Sequence, residues 1–287
     1  MPRRARLDAE LVRRGLARSR EHASELVAAG RVTVRGMIAR KAATAVEIDA
    51  PVLVTEDRDD PKWASRGAHK LVGALEVFEA DGLDVTGRRC LDAGASTGGF
   101  TDALLRRGVH EVVAVDVGYG QLAWKLQTDE RVRIHDRTNV RSLTPEIIGG
   151  PVGLVVADLS FISLRLVLPA LSACVETGAD VLPMIKPQFE VGKDRLGSGG
   201  VVRDADLRAE VVLDVLEHAQ SGDFGVHGVV ASPLPGPSGN VEYFAWLRAG
   251  EQSSRDESRR RVREAVRAGP QDKSGSVVTE QSAGGTQ

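Results

Sequence analysis

The chain has 287 residues, 42% hydrophobic and 27% charged, which is the composition of a soluble globular protein with room for one or two cores. No run of about 18 apolar residues occurs, and the charged N-terminus MPRRARLDAE has no apolar stretch behind it, so neither a membrane span nor a secretory leader is expected, and a cytoplasmic protein is. A net charge of −2 argues against a polyanion partner for the whole chain, yet residues 1–41 hold eleven Lys or Arg against four Asp or Glu, a local surplus that suits either a docked polyanion or a merely solvated basic face.

Residues 6–30 predict two short helices. Leu7, Leu11 and Val12 give the first its apolar stripe and Gly15 stops it. Ser19 caps the second, Ala23, Leu26 and Val27 face inward, and Gly30 ends it. Val32, Val34 and Ile38 alternate around Gly36 as a hairpin would, and VEIDAPVLV at 46–54 reads as a strand. The small domain covers residues 1–61. Its acidic, proline-containing end at 55–62 and the segment Lys62-Trp63-Ala64-Ser65 read as the link to a second domain at 66–250.

That second domain alternates strand-like and helix-like segments. Strands are expected at 90–94, 112–117, 132–136, 154–161, 181–187, 229–232 and 241–247, with helices at 100–108 and 207–220 among others. The pattern predicts an α/β fold with a seven-stranded, mostly parallel sheet covered on both faces. The last connection is too short for a helical crossover, so the final strand should insert antiparallel. Residues 251–287 lose hydrophobic content and read as a polar, disordered tail, at most with a fraying helix. Cys90 and Cys174 lie among apolar neighbours and read as buried free thiols; no metal site is expected.

Two constellations carry chemistry. In CLDAGASTGGF an apolar strand ends near Asp92, and a glycine- and hydroxyl-rich turn leads into a helix near Phe100. Gly94, Gly98 and Gly99 would let a ligand approach the backbone. Asp116, about twenty residues on, suits a ribose diol, and Asp136 could sit at an adenine edge. A nicotinamide dinucleotide would use Asp116 equally well, but the spacing departs from G-x-G-x-x-G. The second constellation comprises Asp158 and Lys186 at the ends of apolar strands, Glu242 at the start of the last strand, and Lys70 on the first helix of the domain. An ionised side chain at such a strand end is costly unless used. Taken singly, Lys70 could be a surface lysine and Glu242 an edge-strand charge.

Several stretches resemble known families. RLDAELVRRGLARSREHASELVAAGRVTVRG is similar to the S4 domain, an RNA-binding fold, and DAGASTGGF resembles the first motif of class I methyltransferases. SRGAHKL, DAGASTGGF and IKPQFE together resemble the FtsJ-like RNA 2'-O-methyltransferases, and the combined chain from Arg3 to about Arg248 resembles the TlyA family, also named hemolysin A. The resemblance implies S-adenosyl-L-methionine as cofactor, held by Asp92, Gly94, Ser96, Thr97, Gly98, Gly99, Phe100, Asp116, Val117, Asp136 and Asp158. It implies the tetrad Lys70, Asp158, Lys186 and Glu242, with Lys186 as general base, Asp158 and Lys70 tuning and placing it, and Glu242 orienting Lys70 or the ribose. It implies methylation of cytidine 2'-OH groups in 16S and 23S ribosomal RNA, with ribosomal subunits as partners and no obligate protein partner. Arg6, Arg14, Arg18, Arg20 and Lys41 on the small domain, and Arg66 and Arg137 on the large one, are the candidate RNA contacts. A non-catalytic ribosome-assembly factor and a membrane-lysing protein are the alternatives. Lysines at strand ends speak against the first, and the lack of a long apolar or strongly amphipathic segment against the second.

Overall fold

The computed structural model describes residues 3–17, 19–55, 61–236 and 238–270. The chain divides into two compact units, Met1–Lys62 and Trp63–Gln287.

The first unit runs β1 (Arg4–Arg6), α1 (Leu7–Arg13), α2 (Arg20–Ala28), β2 (Val32–Val34), β3 (Met37–Ile38), β4 (Ala45–Glu47) and β5 (Val52–Val54). The Ser19 hydroxyl accepts from the His22 backbone N–H at 3.1 Å and caps α2 as expected. Arg35 and Gly36 both have positive φ, 51° and 79°, the conformation of a two-residue hairpin turn matched to strand twist. Leu7, Leu11, Ala23, Leu26, Val27 and Val32 form the core. The expected single strand 46–54 is broken: β4 pairs with β1, while β5 pairs with β2. Pro51, which has no N–H to donate, stands at the break.

The second unit runs α3 (Gly67–Ala80), β6 (Arg89–Ala93), α4 (Gly99–Arg106), β7 (Glu111–Val115), α5 (Trp124–Gln127), β8 (Val132–His135), β9 (Val152–Ala157), α6 (Leu168–Ala173), β10 (Val175–Ile185), α7 (Pro187–Glu190), α8 (Ala205–Ser221), β11 (Phe224–Ala231), β12 (Tyr243–Ala249) and α9 (Arg255–Ala268). One seven-stranded sheet has the order β11-β12-β10-β9-β6-β7-β8, with β12 antiparallel to both its neighbours. The two-residue period of the strands divides the core. Leu91 and Ala93 of β6 join Val113, Val155 and Tyr243 on one face, while Cys90 joins Leu71, Phe78, Leu104 and Phe244 on the other. Strand order reverses between β6 and β9. In sheets of this kind ligands sit beyond the carboxyl ends of the strands at that point.

Three expected boundaries move. Residues 63–65 are packed rather than linking: the Arg106 guanidinium lies 4.0 Å over the Trp63 ring, and the Ala64 N–H donates to Asp102 at 2.8 Å. A tryptophan ring favours burial over exposure in a linker. The strand expected at 154–161 ends at Ala157, and 158–161 form a loop. Beyond residue 250 the chain is not all tail. Val262, Ala265 and Val266 of α9 are buried in the core with residues of α8 and β11, and Arg261 donates to the Val226 carbonyl at 2.6 Å. Three small apolar residues at helical spacing suffice for this stripe, and six arginines around them hide it in a hydropathy reading. The rest of the expected tail, 271–287, lies outside the described residues.

Candidate active site

The glycine turn joins β6 to α4 at the reversal point. Gly94 has φ +89°, and a Cβ there would lie 2.5 Å from the Asp158 carbonyl oxygen. Gly98, φ +91°, would press a Cβ into Leu122 and Leu126, and Gly99 would press one into Ser65 and Ala68. At all three positions the chain itself also leaves no space for a side chain. Phe100 likewise turns inward, 5.8 Å from Phe244. Ser96, with φ 47°, donates its N–H to Asp116 Oδ2 at 2.8 Å, and Thr97 is exposed beside it. The other Asp116 oxygen accepts from Gly118 N–H at 2.7 Å, and Asp136 accepts from Gly120 N–H at 2.8 Å. Two aspartates thus tie the loop 116–120 into a fixed shape, with Val117 exposed upon it.

Asp92 is fully buried. Thr101 donates its hydroxyl to Asp92 Oδ2 at 2.6 Å, while Oδ1 has no partner. Burial pushes this carboxyl up to about 7, the Thr101 bond opposes the rise, and the nearby Asp158 and Asp116 carboxylates add to it.

The four residues of the second constellation form two ion pairs. Lys70 donates to Glu242 Oε2 at 2.6 Å, with side-chain exposures of 6% and 1%. Glu242 stands just before β12, an interior strand, so it is no edge charge, and Lys70 is no surface lysine. Lys186, at the end of β10, lies 2.5 Å from Asp158 Oδ1 and donates to Ser160 Oγ at 3.0 Å. Gln188, two residues on, donates to the remaining Glu242 oxygen at 3.3 Å and so connects the pairs.

Lys186 and Glu242 line one cavity of about 710 Å³ with Ser160, Phe161, Gln188 and Phe189. Sequence reasoning passed over all but the first two. Phe161 is 90% exposed, has φ 63° and packs its ring 5.1 Å from Phe189. A large exposed aromatic with strained backbone beside buried charges marks a functional loop. An aromatic placed directly after a strand-end Asp-Leu-Ser was the available signal. Asn240 also lines the cavity; it accepts from Val202 N–H and donates to Gly200 O, both at 2.9 Å, which pins the glycine-rich segment 199–202.

The candidate RNA contacts separate. Arg6 and Arg20 share Asp8, at 2.7 and 3.2 Å, and are half exposed; Lys41 and Arg137 are exposed. The Arg137 guanidinium lies 4.4 Å over the exposed Tyr119 ring. Arg66 is half-buried at the start of α3. Arg14 is turned into its own unit, bonded to Glu10 at 2.7 Å and to the Ala50 and Ile48 carbonyls at 2.8 and 2.5 Å, so its donors are committed there. Arg18 lies outside the described residues.

Residues 63–249 match the model of the FtsJ-like methyltransferases, and residues 5–52 that of the S4 domain. The chain is 60% identical, over 93% of its length and 97% of the relative, to the 16S/23S rRNA (cytidine-2'-O)-methyltransferase TlyA of Mycobacterium tuberculosis. It is 38% identical, over 92% and 94%, to a Bacillus subtilis protein named as an rRNA methyltransferase. A solved structure from Streptococcus thermophilus that carries a hemolysin name superposes with a TM-score of 0.72 at 35% identity, covering 93% of this chain and 97% of that one.

Proposed function

From the premise that the chain belongs to the FtsJ-like methyltransferase family, with an S4 domain ahead of it, we propose that it methylates the ribose 2'-OH of cytidine in 16S and 23S ribosomal RNA with S-adenosylmethionine. The observation that carries this reading is Lys186, which lines a cavity of about 710 Å³ and is bonded to Asp158, the residue whose backbone carbonyl faces Gly94 of the glycine turn. The residues suit the cofactor. Asp92 Oδ1 is a buried acceptor without a donor, matched to a cationic amino group, and the carboxylates of Asp116 and Asp136 flank the turn with further acceptor sites. When bound, S-adenosylmethionine supplies an electrophilic methyl group on a sulfonium centre.

The chain must then bring up an alkoxide-like oxygen. A ribose hydroxyl is a poor acid, so Lys186 accepts the 2'-OH proton on Nζ as the oxygen attacks. Asp158 holds that nitrogen and balances the ammonium that results. Lys70 and Glu242 form a buried pair whose field and geometry are fixed before substrate arrives. Phe161 and Phe189 offer faces on which a base withdrawn from its stack can rest. Arg6, Arg20 and Lys41 of the S4 domain, with Arg66 and Arg137, contact phosphates. Ribosomal RNA is the partner and the cytoplasm the compartment.

The test is transfer of radiolabelled methyl groups to ribosomal RNA, with sites mapped by 2'-O-methyl detection. Lys186→Ala is expected to slow transfer by about 10²- to 10⁴-fold, the usual contribution of a positioned general base, while RNA binding persists. Wild-type transfer by this variant would overturn the assignment.

A further inference from the structure

We propose that Ser160 is a positioning residue for methyl transfer, its hydroxyl fixing the direction in which Lys186 presents its lone pair. This rests on the reading of Lys186 as the base. A neutral amine carries two N–H bonds and one lone pair and turns freely about its last carbon–nitrogen bond. One acceptor leaves that rotation open; two acceptors close it. Lys186 Nζ has two, Asp158 Oδ1 at 2.5 Å and Ser160 Oγ at 3.0 Å. When both N–H groups are engaged, the lone pair takes the remaining direction. Lys186 and Ser160 line the same 710 Å³ cavity, so the space left for a substrate hydroxyl lies beside this nitrogen.

The loop that carries both acceptors is itself held. Glu190, buried at the end of α7, accepts from the Ser163 hydroxyl at 2.6 Å and from the Leu164 N–H at 2.7 Å. Residues 186–190 therefore present the lysine at one end and anchor the acceptor loop at the other. Phe161, next to Ser160, is kept at a positive φ that a side chain of its size rarely adopts, and such strain persists only where surrounding contacts over-determine it. Asp158 supplies charge as well as direction; Ser160 supplies direction alone.

The experiment compares single-turnover methyl transfer by the full chain on ribosomal RNA for Ser160→Ala, Ser160→Thr, Lys186→Ala and the double variant Ser160→Ala/Lys186→Ala. Ser160 is exposed, so its removal leaves the fold in place, which a thermal melt verifies. Ser160→Ala is expected to lower the rate about tenfold, the worth of one hydrogen bond of ordinary strength, with KM for RNA and for S-adenosylmethionine within about twofold. Ser160→Thr, which keeps the hydroxyl, restores most of the rate. The double variant is no slower than Lys186→Ala, because a group that acts through the lysine has nothing left to position. A wild-type rate in Ser160→Ala, or a loss that multiplies on that of Lys186→Ala, would overturn the proposal while leaving the base assignment intact. A raised KM with unchanged kcat would overturn it too, by making Ser160 a substrate contact. Full activity in Lys186→Ala would instead sink the reading beneath it.

Discussion

The two units handle charge in opposite ways. In the S4 domain, Arg6, Arg13 and Arg20 stay half exposed and pair with Asp8 and Glu10, whose carboxylates are buried at the helix surface. Such partly solvated pairs contribute little stability singly, so the guanidinium groups can exchange a carboxylate for a phosphate at low cost. In the catalytic unit, Lys70, Glu242 and Lys186 are almost entirely removed from water. Desolvating a charge is expensive even when it is paired, and a hydrophobic pair of the same volume would often serve the fold as well. Surface charge is compatible with many roles; buried charge at a strand end asks for one.

Breaking the buried pair is the hardest test of that contrast. Glu242→Ala leaves the Lys70 ammonium stranded, and a loss of about 3–5 kcal/mol is expected in chemical denaturation. Replacing both partners by Met should recover much of the stability but none of the methyl transfer; recovered transfer would show that the pair only packs.

Asp92 sharpens the comparison with a pH dependence. Its folded carboxyl is raised to about 7 from the ordinary 3.8, so the unfolded chain loses this proton first, and stability from this group falls as pH rises between those values. Asp92→Asn is therefore expected to raise the melting temperature of the ligand-free protein more at pH 8 than at pH 5, and to weaken S-adenosylmethionine binding. An equal shift at both values would mean that the carboxyl is ionised throughout.

The smallest effect belongs to the S4 surface. Arg20→Ala should leave the melting temperature nearly unchanged and lower the slope of log affinity for ribosomal RNA against log salt by about one. A large stability loss with an unchanged slope would make Arg20 a structural residue.

Much of this was readable in the order of residues. Strand period, helix stripes and the glycine turn are local, so the seven-stranded sheet and the antiparallel last strand follow from sequence, and Asp158 and Lys186 stand out because ions rarely end apolar strands, whereas Lys70 on a helix and Glu242 before a strand do not stand out singly. What escaped depended on distance in space. That Glu242 is interior rather than at an edge follows only from β12 inserting between β10 and β11. Ser160 and Gln188 are ordinary polar residues until the fold sets one on Lys186 and the other on Glu242. That a Cβ at Gly94, Gly98 or Gly99 would also meet Asp158, Leu122, Leu126 or Ser65 depends on the same distant contacts. Arg14 looked like its exposed neighbours, and only tertiary structure brings two carbonyls within its reach.

Helix α9 lies past residue 249, where the family match ends, yet it covers one face of β11, the outermost strand of the sheet. A fragment cut at that boundary would keep all four charged residues of the tetrad and still bare Val226, Val229 and the apolar side of α8. Such a fragment should self-associate, since a freed strand edge beside an uncovered apolar face recruits its own copies. The shortest autonomous catalytic piece thus extends to about Gly269, twenty residues beyond the point where similarity alone would place the scissors.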